Sequence, residues 1–172
     1  MFIAQKLKAR NIVAYVLYMM QVEDTIRAYD LNADRLESEY LTRFDYDDEQ
    51  LEQAREWYEG IIDMMQMEMC QKTGHVQALT NIISDLEDAH QALLDDPQKP
   101  FYQAAYGAAL PVLGELRSKG MDEEVGDVAN ALDAVYGVTL LKMQGKPVSP
   151  ETSAALAPVI RMLELLSENY ES

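Results

Sequence analysis

Apolar residues recur every third or fourth position along almost the whole chain, and nowhere do they alternate for long. A helix brings positions i, i+3, i+4 and i+7 onto one face, whereas a strand brings every second residue together. No segment joins sustained alternation to β-branched and aromatic enrichment, so strands are not expected. The first stripe, through Ala9, Ile12, Val13, Val16, Met19, Met20 and Ile26, predicts a helix over about 3–29. Others follow at about 33–43, from 48 to just before Gly74, 76–95, 100–118, 123–144 and from 150 onward. Their ends carry chemical signals. Asp47 and Gln50 have capping-box spacing, Ser149-Pro150 suits a cap and first turn, and Gly120 and Gly145 suit helix stops. Pro111 and Pro158 predict kinks inside their helices. One-sided helices joined by short links must bury their stripes on one another. The expected fold is therefore an all-α, multi-helix bundle of about six or seven helices. It reads as a single domain over 1–172, with a weak internal break where "DDPQKP" places two prolines at 95–100.

The 172-residue chain holds 30 acidic and 14 basic residues, a formal net charge of −16. Such a field repels phosphate backbones, so no nucleic-acid partner is expected. The charge is uneven. Residues 21–60 hold thirteen Asp/Glu against four Lys/Arg, while the first ten hold Lys6, Lys8 and Arg10 and no acid. Cys70 is the single cysteine, so a disulfide framework within the chain is impossible and a reducing compartment fits. "KLKARNIVAYVLYMM" has the basic start and apolar run of a signal peptide. It is followed by Gln21, Glu23 and Asp24 rather than a small-residue cleavage site, and it is too short to span a bilayer. We read it as part of a soluble helix, with no membrane partner and a cytoplasmic location.

Both histidines fall in one segment, "GHVQALTNIISDLEDAHQALL" at 74–94, which includes Glu87-x-x-His90. Ferritin-like di-metal bundles use two such motifs on facing helices, plus two further glutamates. Here the motif occurs once, and His75 is preceded at that spacing by Lys72. Fifteen residues on one helix separate the two histidines by roughly 22 Å, so they cannot share a metal. No metal site and no cofactor is assigned. His90 falls mid-stripe, where a histidine is ordinarily a core residue with a hydrogen-bond partner. Glu23 and Arg27 interrupt the apolar stripe of the first helix, four residues apart on one face. Buried polar groups are costly unless paired. Glu23 and Arg27, with His90 as a third candidate, are therefore expected to form an interior polar cluster that could bind a ligand. The alternative is a solvated pair at the bundle edge.

Other patterns point less far. Asp45, Asp47, Glu49 and Glu56 mimic a calcium loop, but Gln50 stands where the sharp turn needs glycine. Cys70 and His75 lack a third catalytic partner. No nucleophile elbow, P-loop or dinucleotide glycine pattern is present. The methionines at 64, 65, 67 and 69 suit either an adaptable binding surface or core filling. Tyr15, Tyr18 and Tyr29 suit a wet-edged packing or subunit interface.

Taken together, "NIVAYVLYMMQVEDTIRAYDL", "WYEGIIDMMQ", "GHVQALTNIISDLEDAHQALL", "AALPVLGELR" and "SPETSAALAPVIRMLELLSENY" resemble a family of short bacterial proteins, mainly from Bacteroidetes, classed as a domain of unknown function. The resemblance runs from Met1 to about Tyr170. It implies a stand-alone, cytoplasmic bacterial protein, and it carries over no functional residue. The expected role is a non-enzymatic interaction or structural one, with a protein partner or a homodimer. The alternative is a small-molecule or metal-binding bundle that uses the Glu23, Arg27 and His90 cluster.

Overall fold

The computed structural model describes residues 1–118 and 125–170. Among them the protein is all-α, with eight α-helices and a 3₁₀ turn. They are α1 (Phe2–Lys8), α2 (Ile12–Ala28), α3 (Ala33–Glu39), α4 (Asp48–Met67), α5 (Gln77–Asp95), α6 (Pro100–Ser118), α7 (Asp127–Met143) and α8 (Pro150–Asn169), with the 3₁₀ turn at Leu41–Arg43. Six or seven helices were expected. The difference arises mainly at the first stripe, which is broken at residues 9–11 into α1 and α2. α1 closes with Ala9 N donating to Gln5 O at 3.3 Å and Arg10 N making a tightened bond to Leu7 O at 3.0 Å. Asn11 then stands just before α2, and its side-chain oxygen accepts from Ser167 Oγ at 3.0 Å. Asparagine is a poor helix-interior residue because its amide competes with the backbone, so it suits a break.

The helix ends follow the local chemistry. Asp47 and Gln50 form both bonds of a capping box, and Ser149 accepts from Thr152 N ahead of Pro150. The residues that mimicked a calcium loop are therefore a helix start. Three helices end in paired 6→1 and 5→2 backbone bonds. Lys146 and Gly145 close α7 on Leu141 and Lys142, Leu31 and Asp30 close α2 on Ile26 and Arg27, and Cys70 and Met69 close α4 on Met65 and Gln66. Only the first uses glycine at the left-handed position. Asp30, Leu31 and Met69 hold φ of 57°, 56° and 58°, a conformation that costs roughly 1–2 kcal/mol for a side chain with a Cβ. Helical spacing from Ile62 and Met65 would carry the α4 stripe on to Met69, but this ending puts Met69 beyond the helix, and its side chain is 84% exposed. Pro111 and Pro158 both lie inside continuous helices. The expected stop at Gly120 and the expected helix start near 123 fall outside the described residues.

Two units divide the chain. The first comprises residues 1–10 and 14–81. Its core gathers Val16, Met20 and Ile26 of α2, Leu36 of α3, Ala54, Tyr58, Ile61 and Met65 of α4, and Leu79. Tyr40 meets both Tyr58 and Phe44 edge-on there. The second comprises residues 11–13 and 82 onward, where α6, α7 and α8 pack on one another. Its core includes Leu86, Tyr102, Leu113, Leu132, Val159, Met162 and Leu166. On α8 helical spacing from Leu156 through Leu163 would bury Ile160, but the buried stripe runs through Val159 and Met162 and leaves Ile160 40% exposed.

Candidate functional site

The polar pair on α2 lies in the first unit. Glu23 is fully buried, as a polar group set among Met19, Met20, Val22 and Ile26 on α2 must be. Its two carboxyl oxygens are both used. Oε2 meets His75 Nδ1 at 2.5 Å, and Oε1 accepts from Val76 N at 2.9 Å. Val76 immediately precedes α5, so the second bond satisfies a backbone donor that the helix start leaves free. One turn later, Arg27 donates through Nη1 to Asp24 Oδ1 at 2.9 Å, and through Nη2 to the carbonyls of Cys70, at 3.0 Å, and Gly74. Its Nε is buried without a hydrogen-bond partner. Glu23 and Arg27 thus grip the same segment, residues 70–76, which joins α4 to α5. Gly74 holds φ of 84° within it, a conformation that glycine adopts freely. The histidine joined to Glu23 is His75, whose role the sequence did not assign.

Cys70 is buried in this segment. Burial, reinforced by the nearby Glu23, pushes its thiol above the usual range. It therefore lacks the lowered pKa of a nucleophilic cysteine.

His90 lies in the second unit and is buried, as its position on the stripe requires. Its partner is Tyr102, whose hydroxyl lies 2.5 Å from Nδ1, and Tyr106 packs edge-on against the ring with centroids 4.8 Å apart. Burial raises the Tyr102 hydroxyl, so the phenol keeps its proton. Burial also lowers His90, against the opposing pull of Asp127. Tyr102 O–H therefore donates to a neutral His90 at Nδ1. Asp127 in turn accepts from Tyr106 Oη at 2.5 Å and from Arg117. Glu87, the other half of E-x-x-H, accepts from Ala129 N at 2.9 Å and so caps the first turn of α7. Burial raises its carboxyl pKa despite that bond. The two residues of the motif have thus taken separate structural partners. Among the described residues, no group of three or more His, Cys, Asp or Glu could hold a metal ion.

A pH effect follows from His90. Its folded pKa lies below the ordinary histidine value of 6.5, so the unfolded chain binds the proton more readily. The stability it contributes is complete above 6.5 and is lost as pH falls below it. Urea unfolding between pH 7.5 and 5.5 should show stability falling toward acid, less steeply in His90→Phe. Equal slopes in the two proteins would refute this.

Each unit also carries a concave surface. In the first, α1, α2, α4 and the start of α5 line a cleft of about 180 Å³ that includes Lys8, Tyr15, Met19, Trp57, Ile61 and Met64. In the second, α6, α7 and α8 line a groove of about 340 Å³ through Val112, Leu116, Ala134, Val138, Ala155 and Leu156, with Glu115, Glu151 and Thr152 beside them. Sequence reasoning named neither, because each is built from helices far apart in the chain. Among the described residues, no helix is long and apolar enough to cross a membrane.

No curated protein and no solved structure matches the chain. A family model does match, over residues 1–172, and the chain belongs to that family, described as Domain of unknown function (DUF4924).

Proposed function

We propose that this protein works by binding a protein partner rather than by catalysis, and that the groove of the C-terminal unit receives the partner. The observation that carries this reading is the groove itself. Its floor is apolar, and Leu141, one turn beyond Val138 on α7, extends the apolar surface with 38% exposure. An apolar channel between helices is the shape that accepts an amphipathic helix through residues spaced i, i+3, i+4 and i+7. Glu151 at the rim is held in its charged form, first by its own backbone N–H and then by Ser149. The complementary partner is a helix with one apolar face and basic flanks. In this reading Glu23, Arg27 and His90 serve the fold, because their hydrogen bonds tie together segments of the chain.

Native mass spectrometry of gently purified protein tests the proposal. The expected result is a retained polypeptide that Ala155→Arg releases, with the circular dichroism unchanged. Ala155 is exposed in the groove, so the larger side chain fills the channel without entering the core. A bare monomer, or a partner indifferent to this substitution, would overturn the proposal.

A further inference from the structure

The cleft of the N-terminal unit has a different chemistry. Met19, Ile61, Met64, Val76 and Leu79 give it an apolar floor, and no Asp or Glu lines it. Its polar lining consists of Gln5, Lys8, Tyr15 and Trp57, every one able to donate a hydrogen bond. Among the described residues, none of these four side chains makes a hydrogen bond or ion pair with the protein. Lys8 sits 5.7 Å from the centre of the Tyr15 ring and has no carboxylate partner among the described residues. That is unexpected in a chain with 30 acidic and 14 basic residues. The neighbouring cations Lys6 and Arg10 are likewise unpaired by any described acid. Trp57 and Glu56 also border a separate, shallower hollow with Met1 and Gln53. The acid therefore lies beside the cleft rather than in its lining.

We infer that this cleft binds a small apolar carboxylate, with the hydrocarbon on the methionine and isoleucine floor and the carboxylate at Lys8. An apolar floor with a few convergent polar groups is the usual make-up of a small-molecule site. Each polar rim group can donate to an acceptor, Lys8 and Trp57 can only donate, and the ammonium selects a negative acceptor. The volume of about 180 Å³ is below the roughly 300 Å³ at which drug-sized sites begin, so the occupant is small. This inference is independent of the protein partner proposed above, which concerns the other unit.

Trp57, the single tryptophan, lines the cleft and reports on it directly. The experiment titrates the full chain with octanoate and, separately, with octylamine, and follows tryptophan fluorescence. Octanoate should give a saturable change and octylamine none. Lys8→Met should weaken octanoate about three- to fivefold, the worth of one exposed charge interaction, and Lys8→Arg should restore it. Ala78→Phe, at an exposed position of the lining, should block binding by filling the cleft while circular dichroism stays unchanged. A non-saturating response to octanoate would overturn the inference. So would equal responses to the acid and the amine, or binding unaffected by both Lys8→Met and Ala78→Phe.

Discussion

Glu23→Ala should cost about 3 kcal/mol of folding stability, the range for removing one partner of a buried polar pair. Glu23 is fully buried, and both of its oxygens are engaged. Truncation leaves Val76 N without its acceptor at the start of α5 and removes the contact to His75 Nδ1. It also opens a void beside Met19 and Met20. Water cannot readily replace the lost acceptor, since that contact is buried. Glu23→Gln separates these effects. Its amide oxygen can still accept from Val76 N, so only the His75 contact is altered, and the cost should fall to about 1 kcal/mol, the net worth of one hydrogen bond. Urea unfolding of the three proteins at pH 7 measures both numbers. Equal costs for alanine and glutamine would mean that the Val76 bond contributes nothing. A cost below about 1 kcal/mol for alanine would mean that the buried position tolerates loss of both contacts.

The sequence made this site half legible. Glu23 and Arg27 stood out because two polar residues four apart on an apolar stripe require partners. That requirement names no partner. His75 lies 52 residues from Glu23, and no local spacing can encode a meeting at that range. His90 was the candidate because it sits mid-stripe, whereas His75 sits before α5 in a connecting segment without periodicity. The burial of His90 was readable from the 100° step of a helix. Its Tyr102 partner was not, because Tyr102 belongs to the next helix. The all-α class followed from the same periodicity, and the caps of α4 and α8 followed from Asp47, Gln50 and Ser149. What escaped were features in which tertiary contacts override propensity. Asn11 ends a stripe that stays apolar on both sides, and its side chain takes Ser167 from the far end of the chain. Asp30 and Met69 take left-handed positions that sequence rules reserve for glycine. The apolar surface of the cleft and groove looked like ordinary core stripe in each helix taken alone.

Arg27→Met should cost about 2 kcal/mol, and its effect should overlap with that of Glu23→Ala. Methionine keeps an apolar stem of similar reach but removes donors to two carbonyls, Cys70 O and Gly74 O, and to Asp24. The bonds to Cys70 and Asp24 are part-buried and the bond to Gly74 is exposed, so the first two carry most of a cost within the roughly 1–3 kcal/mol of unpaired groups shielded from water. Lysine should restore little, because one ammonium does not reproduce the fixed fork of a guanidinium. Amide hydrogen exchange should quicken over residues 70–76 before it quickens elsewhere in the first unit, since Arg27 binds two carbonyls of that segment directly. The decisive measurement is the double variant. Glu23 holds the end of the segment at His75 and Val76, and Arg27 holds it at Cys70 and Gly74. Once either grip is lost, the freed segment has less for the other to hold. The double variant should therefore be about 1 kcal/mol less destabilised than the sum of the singles. Strict additivity would show two independent contacts that happen to fall on neighbouring residues. A shortfall would establish that Glu23 and Arg27 act as one clamp on the α4–α5 connection.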